Sequence, residues 1–234
     1  MEARAPLILA LETSGETGGV ALYRGRLLAE VTLSGALTYS RRLLPALDFL
    51  LAQLGLDLSA VEALAVAIGP GSFTGLRIGL ATVKALALIL KRPVVGVETL
   101  AALAAQVPES PLPVCAVLDA RRGELYAALY RMVNGYPEVL RRPRILSPER
   151  LCAEISGPAL FVGEGLRVFG EELRRRLGER FRQAPGHLRE GRAAAVAYLA
   201  EHRLLSGEVD DPATLTPFYL RPSEAERSRG LGRV

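Results

Sequence analysis

The run Gly69-Pro70-Gly71-Ser72-Phe73-Thr74-Gly75-Leu76-Arg77-Ile78-Gly79 constrains this chain more than any other stretch. It follows a short apolar segment, Ala63 to Ile68, and opens an Ala-rich apolar segment that reaches Leu90. Gly-Pro-Gly is punctuation that ends a strand. A hydroxyl at Ser72 or Thr74 then sits where a helix needs its N-cap. The reading is strand, glycine-rich turn, helix. Two roles fit such a turn. One is an anion cradle, because glycines admit close approach and a helix N-terminus presents free N–H groups. The other is a tight connection with ordinary capping. No Gly-Lys-Ser/Thr follows at P-loop spacing, and Ser72 lacks the leading Gly-x of a nucleophile elbow, so neither Walker hydrolysis nor an esterase elbow is supported.

The helix beyond the turn is apolar on all sides, with Arg77 and Lys84 its only charges between Leu76 and Leu90. A helix of this kind has to be covered on all sides. Small residues four apart, Gly75 with Gly79 and Ala81 with Ala85, let another helix come close. A membrane span needs roughly 20 apolar residues, and this segment is shorter and charged. One side therefore packs on the chain's own sheet, and the other asks for a second domain or a second subunit.

Length and composition leave room for one large domain or two small ones. Of the basic residues 27 are Arg and only Lys84 and Lys91 are Lys, with a formal net charge of +4 over the 234 residues. The clusters Arg121-Arg122, Arg141-Arg142-Arg144 and Arg174 to Arg176 are candidates for nucleic-acid contact. So mild a charge without interleaved aromatics favours a solvated surface for each. Cys115 and Cys152 show neither metal-ligand spacing nor a disulfide framework. Pro6 to Leu11 is short and interrupted by Glu12, so no signal peptide is read there and a cytoplasmic location is expected.

Taken in order, Leu7 to Leu11, Gly18 to Tyr23 and Arg26 to Leu33 read as strands, Tyr39 to Leu54 as a helix stopped by Gly55, and Ala63 to Ile68 as a strand. After the apolar helix come a strand at Pro93 to Val97, a helix from Thr99 to Gln106, and a linker marked by Pro108, Pro111 and Pro113. The order then recurs, with strands at Val114 to Leu118, Glu124 to Arg131 and Val139 to Ile145. Ser147-Pro148-Glu149 opens a helix, Leu160 to Val162 is a strand, and Val168 to Leu177 and Arg192 to Leu205 are helices. Both halves begin with an apolar strand running into an acidic, small-residue turn, Leu11-Glu12-Thr13 and Leu118-Asp119-Ala120. A duplicated α/β unit fits, with two mixed sheets and flanking helices: an N-terminal domain at 1–107, a second at 114–221, whose last helix could pack back on the first, and a polar, mobile tail at 222–234.

The sequence resembles the TsaB family, also called YeaZ, within the duplicated ribonuclease H-like fold of actin, sugar kinases and heat-shock ATPases. The resemblance rests on Leu9 to Ser14, Gly69 to Gly79, Gly96-Val97-Glu98-Thr99-Leu100, Leu118 to Tyr126 and Pro217-Phe218-Tyr219-Leu220-Arg221, in family order over nearly the whole chain. It implies a non-catalytic subunit of the machinery that makes threonylcarbamoyladenosine beside the tRNA anticodon. Such a subunit pairs with the catalytic TsaD through its two N-terminal-domain helices, is joined by the ATPase TsaE, and forms a homodimer when alone. It meets tRNA through the complex rather than directly. The implied interface residues are Leu43, Leu47, Leu50, Gly75, Gly79, Val83, Ala85 and Leu86, so that arginine at Gly79 or Ala85 would block the partner and spare the fold.

No catalytic residue, metal site or cofactor of its own is expected. Catalytic relatives carry His-x-x-x-His on the helix matching Tyr39 to Leu54, which here has no His; the chain's only histidines are His187 and His202. The nucleotide or phosphate-loop candidates are Glu12, Ser14, Gly71, Ser72, Thr74, Asp119, Gly163 and Gly165. Glu12 stands where an ATPase of this superfamily has Asp, and its longer arm would misplace Mg²⁺-bound water, while phosphoryl transfer asks chiefly for positioning. ATP or ADP with Mg²⁺ is expected, if anywhere, at the interface of the complex. The alternative function is a stand-alone ATP-dependent kinase or ATPase of the same superfamily.

Overall fold

The structure, a computed structural model, describes residues 4–34 and 39–221. The tail expected to be mobile lies outside the described residues.

The apolar run before Glu12 shows no alternation because it is buried on both faces, as a strand at the centre of a covered sheet must be. It forms β1 (Ile8–Glu12), flanked by the antiparallel β2 (Thr17–Tyr23) and the parallel β4 (Ala63–Gly69). With β3 (Leu27–Ser34) and β5 (Val94–Glu98) the sheet order is β3-β2-β1-β4-β5. Successive side chains point to opposite faces. Leu9, Leu11, Leu64 and Val66 meet α1 (Tyr39–Leu54) and α2 (Phe73–Leu90) on one side. Ile8, Ala10, Ala63, Ala65 and Ala67 face the other side, where α6 (Ala193–Leu205) lies. That second face is mostly Ala, and α6 answers with Ala195, Ala197 and Ala200, so helix and sheet approach closely.

The second sheet repeats the first strand for strand. β6 (Val114–Asp119), β7 (Leu125–Val133), β8 (Tyr136–Leu146), β9 (Ala159–Val162) and β10 (Phe181–Gln183) pair in the order β8-β7-β6-β9-β10. This is the duplicated α/β unit, two mixed sheets with flanking helices, that the sequence implied. The short β10 escapes a sequence reading because three residues carry no period. α4 (Pro148–Glu154) and α5 (Leu166–Leu177) cover one face of the sheet, around Cys115, Val117 and Phe161. The other face, with Val114, Ala116 and Leu118, is covered by α3 (Thr99–Ala104) of the first half through Leu100 and Leu103. Each half thus lends its last helix to the other half's sheet, and neither closes its core alone.

The glycine-rich turn is a seam inside the first half. Ser72 caps α2, its Oγ accepting from the Gly75 amide at 3.2 Å, and Thr74 is the second residue of the helix, not its cap. The Ser72 amide donates to the Ser14 carbonyl at 2.6 Å. A Cβ at Gly71 would strike the Ser14 carbonyl, one at Gly75 the Thr13 carbonyl, and one at Gly79 the Thr13 hydroxyl. Gly75 and Gly79 therefore seat α2 on the end of β1, not on another helix, while Ala81 and Ala85 of the same stripe are exposed. This corrects the interface expectation. Gly75 and Gly79 are buried, as are Leu43, Leu47, Leu50, Val83 and Leu86 in the core below α1 and α2, and of that set only Ala85 is exposed. The core takes them because α1 and α2 share one sheet face, and a sheet must be covered before a partner can be.

Gly75→Ala sets its methyl against backbone, which cannot swing away. It should cost about 3 kcal/mol or more, the upper range of overpacking, and Gly79→Arg should prevent folding. Ala85→Arg should leave stability within about 0.5 kcal/mol, as surface changes do. Urea midpoints of the three variants check this.

Candidate functional site

The two acidic turns prove to be the same device built twice. Glu12 and Asp119 are the last residues of β1 and β6, the central strands of the two sheets. Each bends its carboxylate back onto its own turn: Glu12 Oε1 accepts from the Ser14 amide at 2.6 Å, and Asp119 Oδ1 from the Arg121 amide at 2.7 Å. For Asp119 such a bond to the amide two residues on is the turn-forming habit of a short acidic side chain, and Glu12 makes the same bond with a longer arm. The following strand-to-helix turns also match. Gly69 and Gly163 both take positive φ, +119° and +110°, the one as the last residue of β4 and the other just after β9. A Cβ at Gly163 would strike the Val117 carbonyl, and one at Gly165 would come within about 3.0 Å of Leu118. These glycines hold their turns against the central strand.

The environments of the two carboxylates differ. Glu12 is wholly buried, and its Oε2 has no hydrogen-bond partner. Burial pushes its pKa up to about 7, against the lowering bonds from Ser14, and the nearby Glu164 carboxylate adds to the rise. Tyr39, whose hydroxyl donates to the Gly15 carbonyl at 3.0 Å, is driven up as well, by burial first and then by Glu12. A carboxyl so enclosed is poorly placed to hold metal-bound water in an open cleft. Asp119 instead lines that cleft, with Arg121 at 3.4 Å.

The cleft lies between the two halves, with a volume of about 640 Å³. It brings together Ser14, Gly71, Ser72 and Asp119 of the expected set, whereas Glu12, Thr74, Gly163 and Gly165 do not line it. Side chains that sequence reasoning left out complete the walls: Phe73 and Tyr126 are aromatic, Glu164 and Arg167 come from the β9–α5 side, and Phe218 to Arg221 lie across it. Glu164 crosses from the second half to the first. It accepts from the Glu16 amide at 3.3 Å, and its carboxylate packs on Gly15, where a Cβ would sit 2.9 Å from it. Its own pKa is raised, chiefly by burial. The turns that face each other here are thus satisfied mainly by the protein's own groups.

A second surface stands apart from the cleft. With the inner faces of α1 and α2 committed to the sheet, their outer faces present Leu44, Phe49 and Leu54 on α1 and Ala81, Ala85, Leu88 and Ile89 on α2. Leu88 is 82 % exposed and Ile89 72 %. By length and composition Phe73–Leu90 could cross a membrane. The structure accounts for its apolarity otherwise: one face is core and the other is bare.

Fold and cleft together define a two-lobed, duplicated α/β protein with one mixed five-stranded sheet in each lobe. A family model described as TsaD, tRNA N6-adenosine threonylcarbamoyltransferase, matches residues 26–227. The chain is 32 % identical over 223 residues to a tRNA threonylcarbamoyladenosine biosynthesis protein TsaB of Bacillus subtilis (strain 168), covering 94 % of this chain and 96 % of that one. With TsaB of Escherichia coli (strain K12) the identity is 37 % over 169 residues, 69 % of this chain and 73 % of the relative. A solved structure described as YeaZ from Pseudomonas aeruginosa superposes with a TM-score of 0.76 at 32 % identity, covering 92 % of this chain and 100 % of that one. The chain belongs to the TsaB (YeaZ) family.

The buried Glu12 makes stability depend on pH. Its folded pKa of about 7 lies above the ordinary 4.5. The unfolded chain therefore releases this proton first, and stability falls as pH rises from 4.5 toward and past 7. The full loss is about 3 kcal/mol at 1.36 kcal/mol per unit. Glu12→Gln keeps the acceptor for the Ser14 amide and cannot ionise. Its urea-unfolding free energy should lack this decline between pH 5 and pH 8; parallel profiles for the two proteins would refute the assignment.

Proposed function

We propose that this chain is the non-catalytic scaffold of threonylcarbamoyladenosine formation on tRNA. It pairs with a TsaD-type catalytic subunit through the outer faces of α1 and α2, and the pair receives the ATPase TsaE. The observation that carries the reading is the bare apolar face of those helices, led by Phe49, Leu88 and Ile89. Covering a side chain of that size contributes about 1.5–3 kcal/mol, so a few of them supply the centre of a specific interface. Without its partner the same face closes against a second copy, because soluble monomers rarely leave large apolar patches in water.

The cleft supports the non-catalytic part. The ATPases that the motifs resemble use a first-turn carboxylate to hold metal-bound water near the phosphates, and phosphoryl transfer depends chiefly on such positioning. Here that carboxylate is sealed inside, and the glycine turn is packed on Thr13 and Ser14. The ATP or ADP and Mg²⁺ of the reaction accordingly belong at the junction with the partner, and tRNA is met through the complex. A cytoplasmic location follows from the same role.

Ala85→Arg and Leu88→Arg each place a charge on the docking face and touch nothing in the core. Either should weaken the complex with the TsaD-type subunit at least about 100-fold, a loss of about 2.8 kcal/mol, with the melting temperature unchanged. Size-exclusion chromatography with light scattering on the mixed subunits reads this out. A full-strength one-to-one complex from both variants would put the interface elsewhere.

A further inference from the structure

The chain does not end its course at α6. Past it, Asp210 pairs with the edge of β5, its amide donating to the Val94 carbonyl at 2.8 Å and its carboxylate accepting from the Gly96 amide at 2.7 Å. Leu215 then packs against the first core, and Pro217 to Arg221 leave for the second half. The near end of this short stretch is bound to the first half. Phe218 donates its amide to the Ile68 carbonyl at 2.7 Å. Its carbonyl lies where a Cβ on Gly69 would be, 2.6 Å from that position. The Tyr219 ring stacks on Phe73, the first residue of α2, with centroids 4.9 Å apart. Arg77 lies 3.9 Å over the same Phe73 ring and donates from Nε to the Tyr219 hydroxyl at 3.1 Å.

The far end is bound to the second half. Arg221 donates from Nη1 to the Ala120 carbonyl at 3.1 Å and forms an ion pair with Glu124. Ala120 and Glu124 are themselves the hydrogen-bonded ends of the β6–β7 turn. Other ion pairs across the cleft run from Glu16 to Arg121 and Arg167, at 3.7 and 3.9 Å. Those are long and open to water, with the Glu16 side chain 69 % exposed, whereas the Arg221 side chain is 18 % exposed. Exposed pairs contribute little, and a charge-assisted, partly buried pair contributes more.

We infer that Pro217–Arg221 is a latch that holds the interlobe cleft closed, with Arg221 on Glu124 as its catch. Because Tyr219 bears on Phe73, the catch also fixes how the first turn of α2 sits relative to the second half. The latch stands on these contacts alone, whatever docks on α1 and α2. A tail that merely rests on the surface would behave differently: losing Arg221 would free its end and leave the first-half contacts and the lobe spacing as they were.

The test uses the full chain as wild type and as Arg221→Ala, Arg221→Lys and Glu124→Gln. Two readouts are taken, amide exchange at Phe218 by NMR and the distance between spin labels at Ser59→Cys and Arg175→Cys. Both label sites are exposed, and the native Cys115 and Cys152 are buried. Arg221→Ala and Glu124→Gln should each speed Phe218 exchange about tenfold, as loss of a charge-assisted hydrogen bond does. The amides of Leu9 and Val66 should be unchanged, the label distance should lengthen and broaden, and Arg221→Lys should recover part of both effects. Glu124→Gln keeps the shape of the turn, so it answers the question even where Arg221→Ala folds poorly. Phe218 exchange within twofold of wild type, or faster exchange with an unchanged label distance, overturns the latch.

Discussion

The seating of α2 on the end of β1 is the contact on which the other features depend. Three glycines, at positions 71, 75 and 79, replace side chains with the carbonyls of Ser14 and Thr13 and the Thr13 hydroxyl. At that spacing the helix backbone lies directly on the turn that follows β1, and no larger residue fits. Once α2 is held there, its inner face completes the first core, its outer face is left to water, and its N-terminal turn forms one wall of the cleft. The glycines thus act through close packing, an alternative to phosphate binding that the same spacing allows.

Much of this was legible in the sequence, and the parts that were not share a cause. Apolar runs ending in acidic turns gave away both central strands and the duplication, because a strand buried on two faces has no polar positions to blur it. That α2 keeps apolar surface beyond what one sheet covers was legible in its composition. Which residues make up that uncovered face was not. Leu43, Leu47 and Leu50 make the more regular apolar stripe, and regularity marks the core-facing side; the free face of Leu44, Phe49, Leu88 and Ile89 is less periodic, interrupted by Asp48 and Lys84. The cleft was half visible. Ser14, Gly71, Ser72 and Asp119 stand in turns that announce themselves, whereas Tyr126, Arg167 and the Phe218–Arg221 crossing come from a strand, a helix and the far end of the chain. Only folding brings them to one place.

The site's electrostatics were beyond the sequence for a similar reason. Glu12 and Asp119 occupy matching places in the two halves and make matching bonds to their own turns, yet one is sealed and the other lines the cleft. The difference lies in what surrounds Glu12: Tyr39 from α1, the Glu164 carboxylate from the opposite half, and the backbone at Gly191, where a Cβ would stand 3.0 Å from the Glu12 side chain. None of these is near Glu12 in the chain. Duplication repeats the backbone path, and the packing between copies then makes the two halves chemically unlike.

The exchange of terminal helices has a consequence for how the protein comes into being. During synthesis the first sheet emerges early, but the helix that covers its Ile8, Ala10 and Ala65 face begins only at Ala193. Until then that face stays uncovered, while α3, already made, waits for a second sheet to rest on. The first half therefore cannot finish folding while the rest is still in the ribosome, and the nascent chain depends on late, long-range contacts of the kind that slow folding and invite aggregation. An isolated N-terminal fragment ending in the proline linker would keep an open alanine face, so the two halves, alike in design, are a single unit of folding.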